Sequence, residues 1–249
     1  CTDLDRWILA KLNRLIDSVK SSLESYDTAS VVDHGERFFE DLSNWYLRLS
    51  RRRFYHGKDP ESFRTLFHVL ATTTRILAPI IPFTCETIHQ NLRMGADESW
   101  PESVHLADFP ESRLYEGDDE LIADMAQIQN VVRLGLHARK ESALKVRQPL
   151  SCVTLHLTAT NVRKSIDRFR ELVLSELNVK DIKFEDNLDQ LVSYSIKPNF
   201  RTLGPKLGPD VKSVASQLAS VDTTQIALKA AAGESISLSL PDGRSVTIE

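Results

Sequence analysis

The sequence predicts a mostly α protein with a smaller α+β part: an antiparallel helical bundle followed by a small α+β C-terminal domain. Two observations support this fold class. From Leu4 to Leu92, apolar residues recur at steps of three and four, which is typical of amphipathic helices. Beyond Leu150, short runs of alternating apolar and polar residues predict half-buried strands. The 249 residues suit one large domain or two ordinary ones.

The first two helices are predicted from one apolar stripe each. The first stripe runs from Leu4 to Leu23 and ends at the Tyr26–Thr28 stretch. The second stripe begins at Val31, and a spacing of about 3.6 residues per turn places Trp45 and Leu49 on its inward face.

The next two helices carry start and stop signals. Asp59 followed by Pro60 predicts a helix start, because aspartate caps the first turn and proline suits its first position. Pro79 should end this helix near Ala78, and Pro82 should open a fourth helix. The apolar residues expected to face the core in these two helices are Phe63, Leu66, Phe67, Leu70, Leu77, Phe83, Ile88 and Leu92. Four such helices with short connections predict an antiparallel bundle.

The remainder of the chain divides into a bridging helix and an α+β segment. After a loop at 95–110, a long helix is predicted from Asp118 to about Ala143. The elements predicted after it are strands at 153–157, 179–184 and 191–196, helices at 162–177 and 210–218, and a hairpin over 236–248 with an Asp-Gly turn. The predicted domains are the bundle (1–117), the bridging helix and junction (118–150) and the α+β domain (151–249).

The composition is that of a soluble globular protein, with 41% hydrophobic and 27% charged residues. No apolar run approaches the roughly 20 residues that a membrane helix needs, so we expect no membrane contact and a cytoplasmic location. The chain begins with Cys1 instead of Met, which suggests an excised fragment. A net charge of −4 argues against indiscriminate binding to nucleic acid.

The sequence lacks the common catalytic motifs. It contains no GxxxxGKS, GxxxxGKT, GxGxxG, GxSxG or HExxH pattern. Its seven histidines are scattered, and its three cysteines, Cys1, Cys85 and Cys152, stand far apart. Such spacing indicates no metal site, and buried or free thiols are expected instead. We therefore expect neither catalytic residues nor metal ligands in this chain.

Positive charge is concentrated in three short runs. The densest, NWYLRLSRRRF from Asn44 to Phe54, includes Arg48, Arg51 and Arg52. The other two runs contain Arg139, Lys140, Lys145 and Arg147, and then Lys197, Arg201, Lys206 and Lys212. Arginine suits RNA because its guanidinium binds phosphate oxygens bidentately and stacks on unpaired bases. Cations are also favoured at a helix C-terminus, so charge alone leaves both interpretations open.

Several long motifs resemble the anticodon-binding region of class I aminoacyl-tRNA synthetases. NWYLRLSRRRF, LDRWILAKL (4–12), LAPIIPFTCETIHQNL (77–92) and SVHLADFP (103–110) are similar to the bundle of the isoleucine, valine, leucine and methionine enzymes. The NWY…RRRF pattern, LHARKESALKVRQPL (136–150) and KPNFRTLGPKLG (197–208) resemble the isoleucyl-tRNA synthetase family of the eukaryotic-like type. The resemblance covers nearly the whole chain, with the motifs in family order.

The resemblance implies the C-terminal part of an isoleucine-tRNA ligase, which recognises the anticodon stem-loop of isoleucine tRNA. The family's HIGH and KMSKS signatures and its editing domain do not occur in the chain, so this fragment alone should be non-catalytic. ATP and Mg²⁺ are implied for the parent enzyme, with zinc as a further candidate, and no cofactor for the fragment. The implied partners are isoleucine tRNA and the catalytic and editing domains of the parent chain, and a monomer is expected.

The candidate contacts to tRNA rest on charge, position and resemblance. They are Arg48, Arg51, Arg52, Lys145, Arg147, Gln148, Asn199, Phe200, Arg201 and Lys206. The arginines of the first run would bind phosphates or stack on a base, Asn199 and Arg201 would contact bases or riboses, and Phe200 could stack. Trp45 and Phe54 are assigned mainly to the core.

Three alternatives stay open at this point. The domain could belong to a valine or leucine enzyme, which anticodon-swapped tRNAs would separate. It could instead be a helical protein-interaction module whose basic runs bind acidic partner surfaces. The α+β tail could also pack against the bundle without touching RNA.

Overall fold

The computed structural model describes residues 2–55, 59–95, 100–157 and 160–186, and the backbone of two strands near the C-terminus. The chain separates into two compact units, one formed by 1–148 with 161–178 and the other by 149–160 with 179–249. The mostly helical composition with a small strand component confirms the predicted fold class. The domain ranges predicted from the sequence stay a prediction.

The first unit is helical. Its α-helices are α1 (Asp3–Glu24), α2 (Thr28–Asp41), α3 (Arg51–Tyr55), α4 (Pro60–Leu77), α5 (Pro82–Arg93), α6 (Asp118–Glu141), α7 (Thr160–Arg168) and α8 (Arg170–Leu177). Helix α1 is central, since it contacts α2, α4 and α6. Among the largest fully buried side chains of the described residues are Trp7, Ile8 and Leu12 of α1 itself, together with Tyr46, Ile76, Leu121, Met125 and Ile128.

The helix starts follow the local signals in the sequence. Thr2 and Asp5 form a capping box, in which the Thr2 hydroxyl accepts from Asp5 N and the Asp5 carboxylate accepts from Thr2 N. The Asp59 side chain accepts from Glu61 N at the start of α4, as predicted. Helices α4 and α5 end and begin as Pro79 and Pro82 predict. These signals succeed because they depend only on neighbouring residues.

The second apolar stripe is displaced by a π-helical segment. Helix α2 continues into a π segment, Leu42–Leu47, in which the hydrogen bonds span five residues instead of four. The wider turn moves the inward positions to Tyr46 and Ser50, both fully buried. Trp45 and Leu49, which were expected on the inward face, are each half-buried, and the fully buried positions follow one residue later.

Helix α5 buries a different face from the one expected. Phe83 is 88% exposed and Ile88 is 36% exposed, so the prediction that they face inward is wrong. The buried residues are Cys85 and His89. His89 stacks on Trp100, and its Nε2 lies 2.9 Å from a carbonyl oxygen of the following loop. This loop covers the polar face of α5, a contact that apolar spacing does not register.

Helix α4 also differs from its predicted face. Phe63 is 47% exposed, although apolar spacing assigned it to the core. Small and hydroxyl residues are buried instead, among them Ser62, Thr65, Thr72 and Thr73. Thr73 donates its hydroxyl hydrogen to Val69 O at 2.6 Å, so its polar group is satisfied within the helix. Helix α4 contacts both α1 and α5.

Helices α6 and α8 pack closely at one glycine. A β-carbon built on Gly135 would lie 2.6 and 2.8 Å from the two methyl groups of Leu177, which is 1% exposed. The helical run predicted over 162–177 is divided at Phe169, so α8 is a separate helix. Glycine at position 135 therefore allows the approach of α8.

We expect Gly135→Val to lower the free energy of unfolding by about 1–3 kcal/mol, because the added methyl groups overlap a buried side chain. Denaturant unfolding of the purified chain measures this. Ala138→Val, at an exposed position of the same helix, controls for the effect of a β-branched residue. Equal stability of the two variants would show that the close packing does not restrict residue size.

The second unit contains two pairs of strands among its described residues. Strands β1 (Val153–Leu155) and β2 (Ile182–Phe184) are parallel, and an isolated bridge joins Leu150 to Val179. Strands β3 (Ile236–Ser239) and β4 (Ser245–Ile248) are antiparallel, with Ile236 opposite Ile248, which confirms the predicted hairpin strands. The strand expected at 191–196 and the helix expected at 210–218 lie outside the described residues.

Candidate nucleic-acid interface

The first basic run is divided between a structural arginine and exposed ones. Arg53 turns inward and binds the fully buried Asp5 through two hydrogen bonds, of 2.9 and 2.8 Å. Its Nε donates to Asp59 at 2.6 Å. Arg51 and Arg52 are exposed, and the Arg51 guanidinium lies 5.4 Å from the centroid of the Tyr55 ring. Only part of the run is therefore available to RNA.

The buried end of this network is a shared carboxylate. Asp5 also accepts from Tyr46 Oη at 2.9 Å and from Thr2 N at 2.7 Å. Burial tends to raise the pKa of Asp5, but the hydrogen bonds from Arg53, Thr2 and Tyr46 outweigh it and lower the pKa to about 2. The network joins α1, the π segment, α3 and the cap of α4.

Arg48 makes a bidentate ion pair. Its two terminal nitrogens donate to the two carboxylate oxygens of Glu176, each at 2.7 Å. Its Nε donates to Asn44 O at 2.7 Å, and the guanidinium lies 5.7 Å from the centroid of the Trp45 ring. The Arg48 side chain is 48% exposed, whereas that of Glu176 is 11% exposed. An arginine held in this way keeps a defined position at the surface.

The second basic run forms a loop after α6. Lys145, Arg147 and Gln148 are all exposed. The loop leaves α6 through Ala143, which has a positive φ of 55°. Gln148 N donates to Lys145 O at 2.9 Å, which closes a turn. Exposed cations and an amide on one short turn could contact phosphate and base edges together.

Arg139 belongs to the second basic run in sequence but not on the surface. It is 5% exposed and donates to four carbonyl oxygens, those of Lys145, Gln148, Leu177 and Asn178, over 2.7–3.2 Å. It therefore acts as a structural link between the loop and the end of α8. Its sequence neighbours gave no signal for this role, because its acceptors are carbonyl groups, which every residue has.

The first two basic runs meet at the C-terminal end of α8. Glu176 holds Arg48, and Asn178 donates its side-chain N–H to Val146 O at 2.9 Å. Arg48 and the 145–148 loop, 97 positions apart from 48 to 145, are thus both bound to residues of the segment 176–178. Sequence reasoning brought out the two basic runs but missed Glu176 and Asn178. Asn178 alone had a local signal, since asparagine just after a helix is a common left-handed cap.

The third basic run contains four of the predicted tRNA contacts. Its candidate residues are Asn199, Phe200, Arg201 and Lys206, and all of them lie outside the described residues. Their roles stay predictions. The assignment of tRNA contacts to Arg48, Arg51, Arg52, Lys145, Arg147 and Gln148 also stays a prediction.

Other chemistry is limited in the described part of the chain. No group of three or more His, Cys, Asp or Glu side chains there has the arrangement of a metal site. Burial raises the pKa of the Cys85 thiol to about 11, so this thiol stays protonated at neutral pH. Among the described residues, no helix combines the length and apolar character needed to cross a bilayer.

Comparison with known proteins adds a family and several relatives. A family model described as the anticodon-binding domain of tRNA ligase matches residues 5–170. The chain is 41% identical over 213 residues to an isoleucine-tRNA ligase of Protochlamydia amoebophila, a match covering 84% of this chain and 20% of that protein. It is 40% identical over 247 residues to the isoleucine-tRNA ligase of Streptomyces avermitilis, covering 98% and 23% respectively.

A third relative shows the same proportions. The isoleucine-tRNA ligase of Chlamydia trachomatis serovar D is 41% identical over 229 residues, which are 90% of this chain and 22% of that protein. The chain thus spans about a fifth of the length of the curated relatives that it matches.

Proposed function

Because the chain belongs to the family of anticodon-binding domains of tRNA ligases, we propose that it binds the anticodon stem-loop of isoleucine tRNA as part of an isoleucine-tRNA ligase. The observation that carries this proposal is the family match over 5–170. That range includes the two arms of the candidate interface, which are the first basic run with Arg48, Arg51 and Arg52, and the 145–148 loop. The isoleucine assignment is supported by the names of the relatives described above. Those names favour isoleucine over the valine and leucine alternatives.

The rest of the reaction is proposed for other parts of the parent protein. Activation of isoleucine with ATP and Mg²⁺ and the transfer to tRNA would take place in a catalytic domain, and correction of errors in an editing domain. This chain would act with both as one cytoplasmic polypeptide, as a monomer, and would supply selection of the tRNA. Zinc, if the parent holds it, would also lie outside the described residues.

The proposed binding mode follows from the shape of RNA. The major groove of an A-form stem is too deep and narrow for side chains, whereas the unpaired bases of a loop can spread onto a protein surface. Arg51, Arg52 and Arg147 carry exposed charge suited to the backbone phosphates. Gln148 offers both a donor and an acceptor for a base edge. Arg48, already held by Glu176, would present its remaining N–H groups, or the flat face of its guanidinium, to the RNA.

The test is a salt titration of RNA binding by the 249-residue chain. Two RNAs are compared, isoleucine tRNA and the same tRNA with a swapped anticodon. We expect a preference for the native anticodon that persists at moderate salt, because the phosphate contribution is common to both RNAs. Binding to neither RNA, or equal binding with a steep salt dependence, would overturn anticodon recognition by this chain.

We expect Arg147→Ala to weaken both RNAs by a similar factor and to reduce the slope of log K against log salt by about one. The physical reason is the loss of one phosphate contact that carries no sequence information. Filter binding or fluorescence anisotropy over a salt series measures the slope. Lys20→Ala removes an exposed cation from α1, which carries no predicted contact, and should leave the slope unchanged. If the two variants give the same slope, Arg147 does not contact a phosphate.

A further inference from the structure

The C-terminal end of α8 with its cap, which we call the α8 joint, consists of Glu176, Leu177 and Asn178. It contacts both arms of the candidate interface. Glu176 pairs with Arg48, and the Asn178 side chain donates to Val146 O. Arg139 Nη2 donates to the carbonyl oxygens of Leu177 and Asn178 at 2.7 and 3.1 Å. Three separate elements of the first unit therefore converge on three consecutive residues.

The contacts made by the joint are suited to ordering the 145–148 loop. Connecting loops are usually mobile, because few of their backbone groups are bound within the protein. In this loop, the carbonyl oxygens of Lys145, Val146 and Gln148 all accept hydrogen bonds from Arg139 or Asn178. A charged donor makes stronger hydrogen bonds than a neutral one, and the carbonyl end of a helix also favours a cation.

Asn178 has two separable functions in the joint. Its backbone is left-handed, with φ 47° and ψ 54°, and it ends α8. Its side chain is not needed for this cap, because glycine adopts the same backbone conformation more readily. The hydrogen bond to Val146 O is therefore an additional feature, directed at the loop.

We propose that the α8 joint is a positioning element for RNA binding, in which Glu176 acts through Arg48 and Asn178 acts through the 145–148 loop. The inference rests on the proposed function and deepens it. Binding is strengthened when contact residues are already ordered, since less conformational freedom is lost on association. The joint sets both arms in place before RNA arrives, although none of its residues needs to touch the RNA.

The test uses Asn178→Gly, which keeps the left-handed cap and removes the hydrogen bond to the loop. We expect affinity for isoleucine tRNA to fall by about 3- to 10-fold, the range for loss of one ordering hydrogen bond. The salt slope should not change, because no phosphate contact is lost. Arg147→Ala, measured beside it, should lower the slope, so the two variants separate positioning from contact. Unchanged thermal unfolding shows that the fold is intact.

Glu176→Gln tests the other arm. Glutamine has the same size and keeps one acceptor for Arg48, but it removes the charge that fixes the guanidinium. We expect weaker binding with an unchanged salt slope, and Glu176→Asp, which retains the charge, should recover part of the affinity. Tighter binding with a steeper slope would overturn the role of Glu176, because it would show that this carboxylate competes with RNA for Arg48.

The failure of this inference can be told apart from failure of the proposed function. If the unchanged chain binds neither RNA, the proposed function is wrong and the joint has no RNA to position. If the chain binds and Arg147→Ala weakens it, while Asn178→Gly binds as tightly as the unchanged chain with the same slope, only the positioning role is overturned.

Discussion

Replacing Asp5 with alanine is expected to lower the free energy of unfolding by about 3–5 kcal/mol, the range for removing one partner of a buried ion pair. Asp5 is fully buried and accepts two hydrogen bonds from Arg53. It also accepts from Tyr46 Oη, which has no exposed surface. The variant leaves the buried Tyr46 hydroxyl without this acceptor. It also removes one of the two carboxylates that the Arg53 guanidinium binds, so that only Asp59 remains. Denaturant unfolding followed by circular dichroism measures the loss.

The matched control lies two residues earlier on the same helix. Asp3 pairs with Arg168, but the two side chains are 42% and 33% exposed. Exposed pairs contribute about 0–1 kcal/mol, so Asp3→Ala should have little effect. A loss at Asp5 no greater than that at Asp3 would mean that the buried network does not stabilise the fold.

The pH dependence of stability gives a second check on Asp5. Its pKa is lowered from 3.8 to about 2 in the folded protein, so the folded form binds the proton less readily than the unfolded chain. The contribution of this group is therefore fully present above pH 3.8 and is lost as the pH falls towards 2. The difference in stability between the unchanged chain and Asp5→Asn should shrink over the same interval.

Replacing Arg139 with methionine is the second change with a large expected effect, a loss of about 3 kcal/mol in the free energy of unfolding. Methionine fills most of the space but cannot donate to the four carbonyl oxygens that Arg139 binds. Those carbonyls lie at the end of α8 and in the 145–148 loop. Because Arg139 is 5% exposed, water cannot fully replace it.

The control for Arg139 is Arg133→Met on the same helix. Arg133 is exposed, and it donates a hydrogen bond to Asn130, one turn earlier. Its replacement should change the stability by less than about 0.5 kcal/mol. Comparable losses at the two positions in denaturant unfolding would show that the four carbonyl contacts are not a stabilising link.

The parts of the fold that could be predicted are those set by neighbouring residues. Asp59, Pro60 and Pro82 define helix starts because capping and the fixed φ of proline act within one turn. The helix Asp118–Glu141 was predicted from its apolar spacing to within two residues at its C-terminal end. The antiparallel hairpin strands near the C-terminus were predicted in the same way, from alternation.

The inward faces of three segments were harder to predict because packing decides them. Phe83 is exposed since the buried side of α5 is the one that meets the loop after it. Trp45 was placed one residue away from the buried position, because a fixed period of about 3.6 cannot anticipate a π turn. Apolar spacing describes a regular helix, and it fails where the helix is irregular.

The sequence indicated the charged residues of the candidate site but not the residues that hold them in place. Arg48, Arg51 and Lys145 stand out in the sequence because cations cluster there. Glu176 does not, since it lies 128 positions from its partner Arg48 and among unremarkable helical residues. Contacts at such separation arise only when the chain folds, and no local pattern encodes them.

The π segment also affects how this surface should be compared between relatives. Leu42–Leu47 contains one residue more than an α-helical path of the same rise would need. A relative that lacks one residue here can continue as an ordinary α-helix and still direct its equivalents of Tyr46 and Arg51 as this chain does. A one-residue gap elsewhere in a helix would instead rotate all later side chains by about 100°. An alignment gap within 42–47 is therefore compatible with the same candidate interface, and matching residues by position alone would compare the wrong side chains.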